Sequence, residues 1–131
     1  MDAPGILIVD DEKETRNTIG AFLKARIKCD IHEADNGKKA LEVLKDNKCD
    51  IMVLDIRMPK KSGIHVLDEM ESRVSGVDVI VVTAWDSEVV AEECAKRNVE
   101  CIPKPVSVSE LYEKIVKLLK KRGKFIPRKN S

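Results

Sequence analysis

Apolar residues in this chain come in short unbroken runs, separated by longer stretches in which they recur every three or four positions. The runs are Ile6–Val9 (ILIV), Ile51–Leu54 (IMVL), Val79–Val82 (VIVV) and a shorter pair, Cys101–Ile102. Runs rich in β-branched residues and without alternation predict strands covered on both faces, as in a parallel sheet. The segment CDIHEA around Ile31 predicts one more strand, less buried. Between the runs, Ile19, Phe22, Leu23 and Ile27 share one helix face over residues 13–27, with Gly20 a mild weakness. Ala40, Leu41 and Leu44 predict a second helix, and Val66, Leu67 and Met70 a third. A fourth, started by Asp86 or Ser87, buries Val90, Ala91 and Cys94. Leu111, Ile115, Leu118 and Leu119 form the inner stripe of a last helix, capped by Ser107 or Ser109.

Strand and helix therefore alternate five times. Right-handed crossovers fold such an order into an α/β doubly wound parallel sheet with helices on both faces. Residues 1–122 are expected to form this domain, and the basic segment 123–131 a frayed end or linker rather than a nucleic-acid-binding arm.

Composition changes this picture little. The chain has 131 residues, enough for one well-covered core, with 43% hydrophobic and 36% charged residues. Its 24 basic and 23 acidic residues leave a net charge of +1, so no global field points to nucleic acid or an anionic membrane. Cys29, Cys49, Cys94 and Cys101 form no C-x-x-C pair, and His32 and His65 do not complete a zinc-type ligand set. Reduced thiols, no signal peptide and no membrane-length apolar stretch predict a cytoplasmic protein.

The chemistry lies where the runs stop. ILIV ends in Asp10 and Asp11, IMVL in Asp55 and VIVV in Thr83, and the last run is followed by Lys104. In a parallel sheet these ends share one edge, where open α/β folds place their sites. Clustered carboxylates repel one another, and a hard divalent cation such as magnesium, which favours oxygen ligands, removes that difficulty. Asp55 then reads as a nucleophile that forms an aspartyl phosphate, with Thr83 and Lys104 holding the phosphoryl oxygens.

The stretches VDDE, LDIRMPKKSG, VVTAW and PKP resemble the motifs of response regulator receiver domains of two-component signal transduction, over about residues 5–121. The resemblance implies a flavodoxin-like sheet in the order 2-1-3-4-5. It also implies magnesium-dependent phosphorylation of Asp55 by a histidine kinase or phosphotransfer protein, with manganese as a substitute ion. Asp10 and Asp11 match the acidic pair, Asp11 being the direct ligand, and the Arg57 carbonyl matches a further metal ligand. Thr83 and Lys104 match the hydroxyl and amine that grip the phosphoryl group. Lys104–Pro105 is expected to be cis, and Gly63 matches a loop glycine. Such a domain is no conventional enzyme; it catalyses its own phosphorylation and dephosphorylation, and signals to a partner or output domain. The implied output face is the fourth helix, fifth strand and fifth helix, including Tyr112.

Two positions depart from that pattern. Cys101 stands where the family has an inward-turning Tyr or Phe, and is expected to be a plain buried strand residue rather than a redox sensor. Trp85, the only tryptophan, lies at the rim of the expected pocket and, with Arg57, is expected to shield the phosphoryl group from water or else to cover a neighbouring loop or partner surface. The alternatives are a haloacid-dehalogenase-type phosphatase, a nucleotide or flavin binder and an unphosphorylated scaffold. The first would place its nucleophile in a D-x-D motif, but position 12 is Glu12. The second would need a Gly-, Ser- or Thr-rich loop where DDEKET stands, and the third commonly lacks the equivalent of Asp55 or Lys104.

Overall fold

Alternate residues of each apolar run enter opposite faces of one sheet, and that parity builds both cores. The computed structural model describes residues 3–56, 65–69, 76–83, 88–97, 99–105 and 107–128. Its elements are β1 (Gly5–Val9), α1 (Lys13–Arg26), β2 (Asp30–Ala34), α2 (Gly37–Asp46), β3 (Ile51–Asp55), a helical segment α3 (65–69), β4 (Asp78–Thr83), α4 (Glu88–Lys96), β5 (Glu100–Pro103) and α5 (Val108–Lys121). The strands are all parallel and lie in the order β2-β1-β3-β4-β5, the doubly wound, flavodoxin-like arrangement.

Leu7, Val9, Met52, Leu54 and Val81 pack with Ala40, Leu44, Val66, Leu67 and Cys94, so α2, α3 and α4 cover one face. Ile6, Ile8, Ile51, Val53, Ile80, Val82 and Ile102 meet Ile19, Leu23, Leu111, Ile115 and Leu119 of α1 and α5 on the other. β2 is the less buried strand its composition predicts.

Some local expectations are corrected. Ala91 is exposed: it is turned about 60° around α4 from the inward Cys94. Cys101 is exposed too, because β5 is an edge strand on which Ile102 alone is buried. Ser107 caps α5, accepting from Glu110 N at 3.3 Å. Met70, Asp86, Ser87 and the Val90 side chain lie outside the described residues.

The tail to residue 128 is hydrogen-bonded rather than frayed. Gly123, at φ 69°, takes the left-handed conformation that favours glycine and turns the chain out of α5. Ile27 and Pro127 form an antiparallel bridge, with Lys28 N donating to Ile126 O at 2.9 Å and Arg128 N to Arg26 O at 2.8 Å. Phe125 packs against the α1–α5 core.

At the sheet edge where the strands begin, buried Asp50 accepts from Gly5 N at 3.0 Å, Lys124 Nζ at 2.7 Å and Arg122 Nη1 at 3.3 Å. Arg122 Nε also donates to Asp78 at 2.7 Å. Burial opposes the Asp50 charge, but the Lys124 and Gly5 hydrogen bonds and both cations outweigh it and hold its pKa below the ordinary carboxylate value. Gly5 is obligatory for a different reason: a Cβ there would lie 2.3 Å from the Lys48 carbonyl oxygen.

Candidate functional site

β1 and β3 are adjacent, parallel and paired Val9 to Leu54, so the residues that follow each run emerge side by side. Asp10, Asp11 and Asp55 each offer a carboxylate oxygen within 4.8 Å of the others. Asp10 and Asp55 are 4% exposed, whereas Asp11 faces solvent. Two nearly buried carboxylates at this separation need a cation, and Lys104 supplies one. Its Nζ lies 3.1 Å from Asp55 Oδ2 and 3.3 Å from Asp10 Oδ2. Burial disfavours the Lys104 ammonium, but the hydrogen bond and charge of Asp55, then those of Asp10, overcome this and raise its pKa.

The backbone holds these groups in place. Thr83, 2% exposed, ends β4 one strand away from Asp55, and its carbonyl accepts from Lys104 N at 2.7 Å. Lys104 therefore belongs to the same ladder as Thr83. The Lys104–Pro105 peptide is cis, as expected. Asp10 Oδ1 accepts from Glu12 N at 2.8 Å, which supplies a carboxylate to the start of α1, where Glu12 makes no side-chain cap.

The sequence reading missed Arg16. It donates to the Asp10 carbonyl at 2.7 Å and pairs with Glu33 at 3.0 Å, tying the acidic loop to α1 and β2. One helical turn from the acidic run, an arginine looks like an ordinary surface charge, and only the fold reveals its target. Asp10, Asp11, Asp55, Thr83 and Lys104 gather at one edge. Arg57, Gly63 and Trp85 lie outside the described residues.

The donors suit a hard divalent cation: carboxylate oxygens alone, two shielded and one open to water. The same edge offers an acceptor for a phosphoryl group at Asp55, with an ammonium and a hydroxyl-bearing residue beside it.

The family model for the response regulator receiver domain matches residues 6–116. The chain belongs to this family. Among curated relatives, a cyclic di-GMP phosphodiesterase of Thermotoga maritima is 35% identical over 118 residues, covering 89% of this chain and 31% of that protein. The response regulator MprA of Mycobacterium sp. (strain KMS) is 30% identical over 119 residues, covering 88% of this chain and 50% of its own. This receiver domain thus spans half or less of the length of those relatives. The solved receiver domain of the Francisella response regulator 1452 superposes with a TM-score of 0.82 at 29% identity, covering 91% of this chain and 98% of that one. The phosphatase and nucleotide-binding alternatives give way to a receiver domain of a two-component response regulator. Among the described residues, no helix is long and apolar enough to cross a membrane.

Proposed function

We propose that Asp55 is the phosphoacceptor of this receiver domain and that Asp10 and Asp11, with Asp55 and the Arg57 carbonyl, hold magnesium. The observation that carries the reading is the Lys104 ammonium bridging Asp55 and Asp10 while Asp11 stands within ligand distance of both. An Asp55 carboxylate oxygen attacks the phosphorus of a phosphohistidine; the P–N bond breaks, the histidine leaves with the nitrogen electron pair, and an acyl phosphate forms. When bound, the magnesium ion neutralises the acidic cluster and the charge gathering on the phosphoryl oxygens. Lys104 gives up part of its contact with Asp55 to pair with a phosphoryl oxygen, and the Thr83 hydroxyl donates to another. Hydrolysis reverses the change, so the domain catalyses its own phosphorylation and dephosphorylation. A pull on Thr83 draws on the chain between β4 and α4, which couples the site to α4, β5 and α5 and to a downstream partner.

The donor is a histidine kinase or phosphotransfer protein and the setting the cytoplasm, with manganese a workable substitute for magnesium. The receiver domain is taken as residues 1–122, with the tail segment 123–128 docked back against it. Intact-mass measurement with a small-molecule phosphodonor and magnesium tests this reading. A single phosphate adduct is expected in the wild type and none in Asp55→Ala; an adduct retained in that variant overturns the assignment.

A further inference from the structure

Two thiols on the α4–β5 side take no part in the phosphoryl site. Cys101 is in register with Val81, and Val81 packs in the same apolar layer as Cys94. The cysteines therefore sit on one side of the sheet, Cys101 beside Val81 on the edge strand and Cys94 in the apolar layer that contains Val81, and each thiol feels the other's charge. The Cys94 carbonyl accepts from Arg97 N at 3.1 Å and Val99 N at 3.0 Å, which ties the last turn of α4 to the residue before β5. Of the four cysteines, Cys29, Cys49 and Cys94 are buried and Cys101 is exposed. The pair thus joins an accessible sulfur to a shielded one, an arrangement that favours oxidation at one and resolution by the other.

We propose that Cys94 and Cys101 form a reversible disulfide, driven by a hydroperoxide, that fastens α4 to β5. The Cys101 thiolate attacks the O–O bond of hydrogen peroxide, forming a sulfenic acid and releasing hydroxide, which takes up the thiol proton as water. The Cys94 sulfur then attacks the Cys101 sulfur. The S–O bond breaks, the oxygen leaves as water with the Cys94 proton, and two electrons have passed from the sulfurs to the peroxide. Closing the bond brings the sulfurs to about 2.0 Å from each other. Among the described residues β5 is the last strand of the sheet, paired on the β4 side alone. Burial, followed by the neighbouring Cys101, pushes the Cys94 thiol up to about 12, which leaves the exposed Cys101 as the sulfur that meets peroxide first. Burial also raises Cys29 and Cys49 to about 11, making them internal controls.

The test treats the full chain with a small excess of hydrogen peroxide, enough for two oxidation steps at one sulfur, alkylates the remaining thiols and maps the peptides, independently of phosphorylation. A Cys94–Cys101 linkage is expected, with Cys29 and Cys49 alkylated, reversal by dithiothreitol and slower amide exchange over residues 88–97 while oxidised. Cys101→Ser should show neither linkage nor slowing, and Cys94→Ser should carry Cys101 onward to sulfinic acid. Wild-type Cys101 reaching sulfinic acid without a linkage, or Cys29 or Cys49 linking to the same extent, overturns the proposal.

Discussion

At the scale of single residues, the site is a balance of charge. Lys104 neutralises part of a cluster whose carboxylates would otherwise repel, and Asp11 is the member that contributes repulsion without a described ion pair. Asp11→Asn should therefore raise stability in EDTA, by roughly 0.5–1 kcal/mol, while abolishing the rise in melting temperature on adding magnesium. Thermal unfolding with and without the ion checks both halves, and an undiminished magnesium response would remove Asp11 from the ligand set. Lys104→Ala should act the opposite way, costing about 1–3 kcal/mol in EDTA because two nearly buried carboxylates lose their cation. Asp10, Asp55, Thr83 and Lys104 were legible because each directly ends or follows an apolar run. Arg16 was not, since its partner is a backbone carbonyl of the acidic loop. The exposure of Cys101 was missed although the expected order 2-1-3-4-5 already puts β5 at the edge, because a small apolar side chain within a strand reads as buried.

At the scale of elements, the unanticipated feature is the clamp at the opposite end of the sheet. Lys124 and Arg122 reach from the end of α5 to Asp50 at the start of β3, and the tail then pairs with the end of α1. A depressed folded-state pKa means that Asp50 contributes stability above its unfolded pKa of about 3.9. That contribution is lost as pH falls through the folded value. Asp50→Asn should thus cost about 1–3 kcal/mol near neutral pH, with the difference from wild type shrinking in acid. Urea unfolding at neutral and acidic pH measures it, and a difference independent of pH would contradict the clamp. Gly5→Ala, which drives a Cβ into the Lys48 carbonyl, should cost roughly 1–3 kcal/mol by the same assay. The strands and helices were readable from periodicity because both cores are purely apolar. The tail was not, because its fixing points are backbone bonds, the Lys124–Asp50 ion pair and the Phe125 ring, within a basic segment that reads as solvent-exposed.

At the scale of the whole molecule, phosphorylation must move a two-state population. A shift from 1:99 to 99:1 requires about 5.5 kcal/mol of differential stabilisation. The proposed source is the new set of contacts from Thr83 and Lys104 to the phosphoryl oxygens. Trp85→Ala should shorten the acyl-phosphate lifetime if the indole shields the group, and equal lifetimes would assign Trp85 to another surface. All of this depends on one covalent event at the carboxylate beneath Lys104. Peptide mapping of the chain, after incubation with magnesium and a small-molecule phosphodonor and trapping of the acyl phosphate with borohydride, locates it directly. The account predicts that the reduced product, homoserine, appears at position 55 and that none forms when magnesium is withheld. Trapping at any other position, or at position 55 to the same extent without a divalent ion, would contradict it.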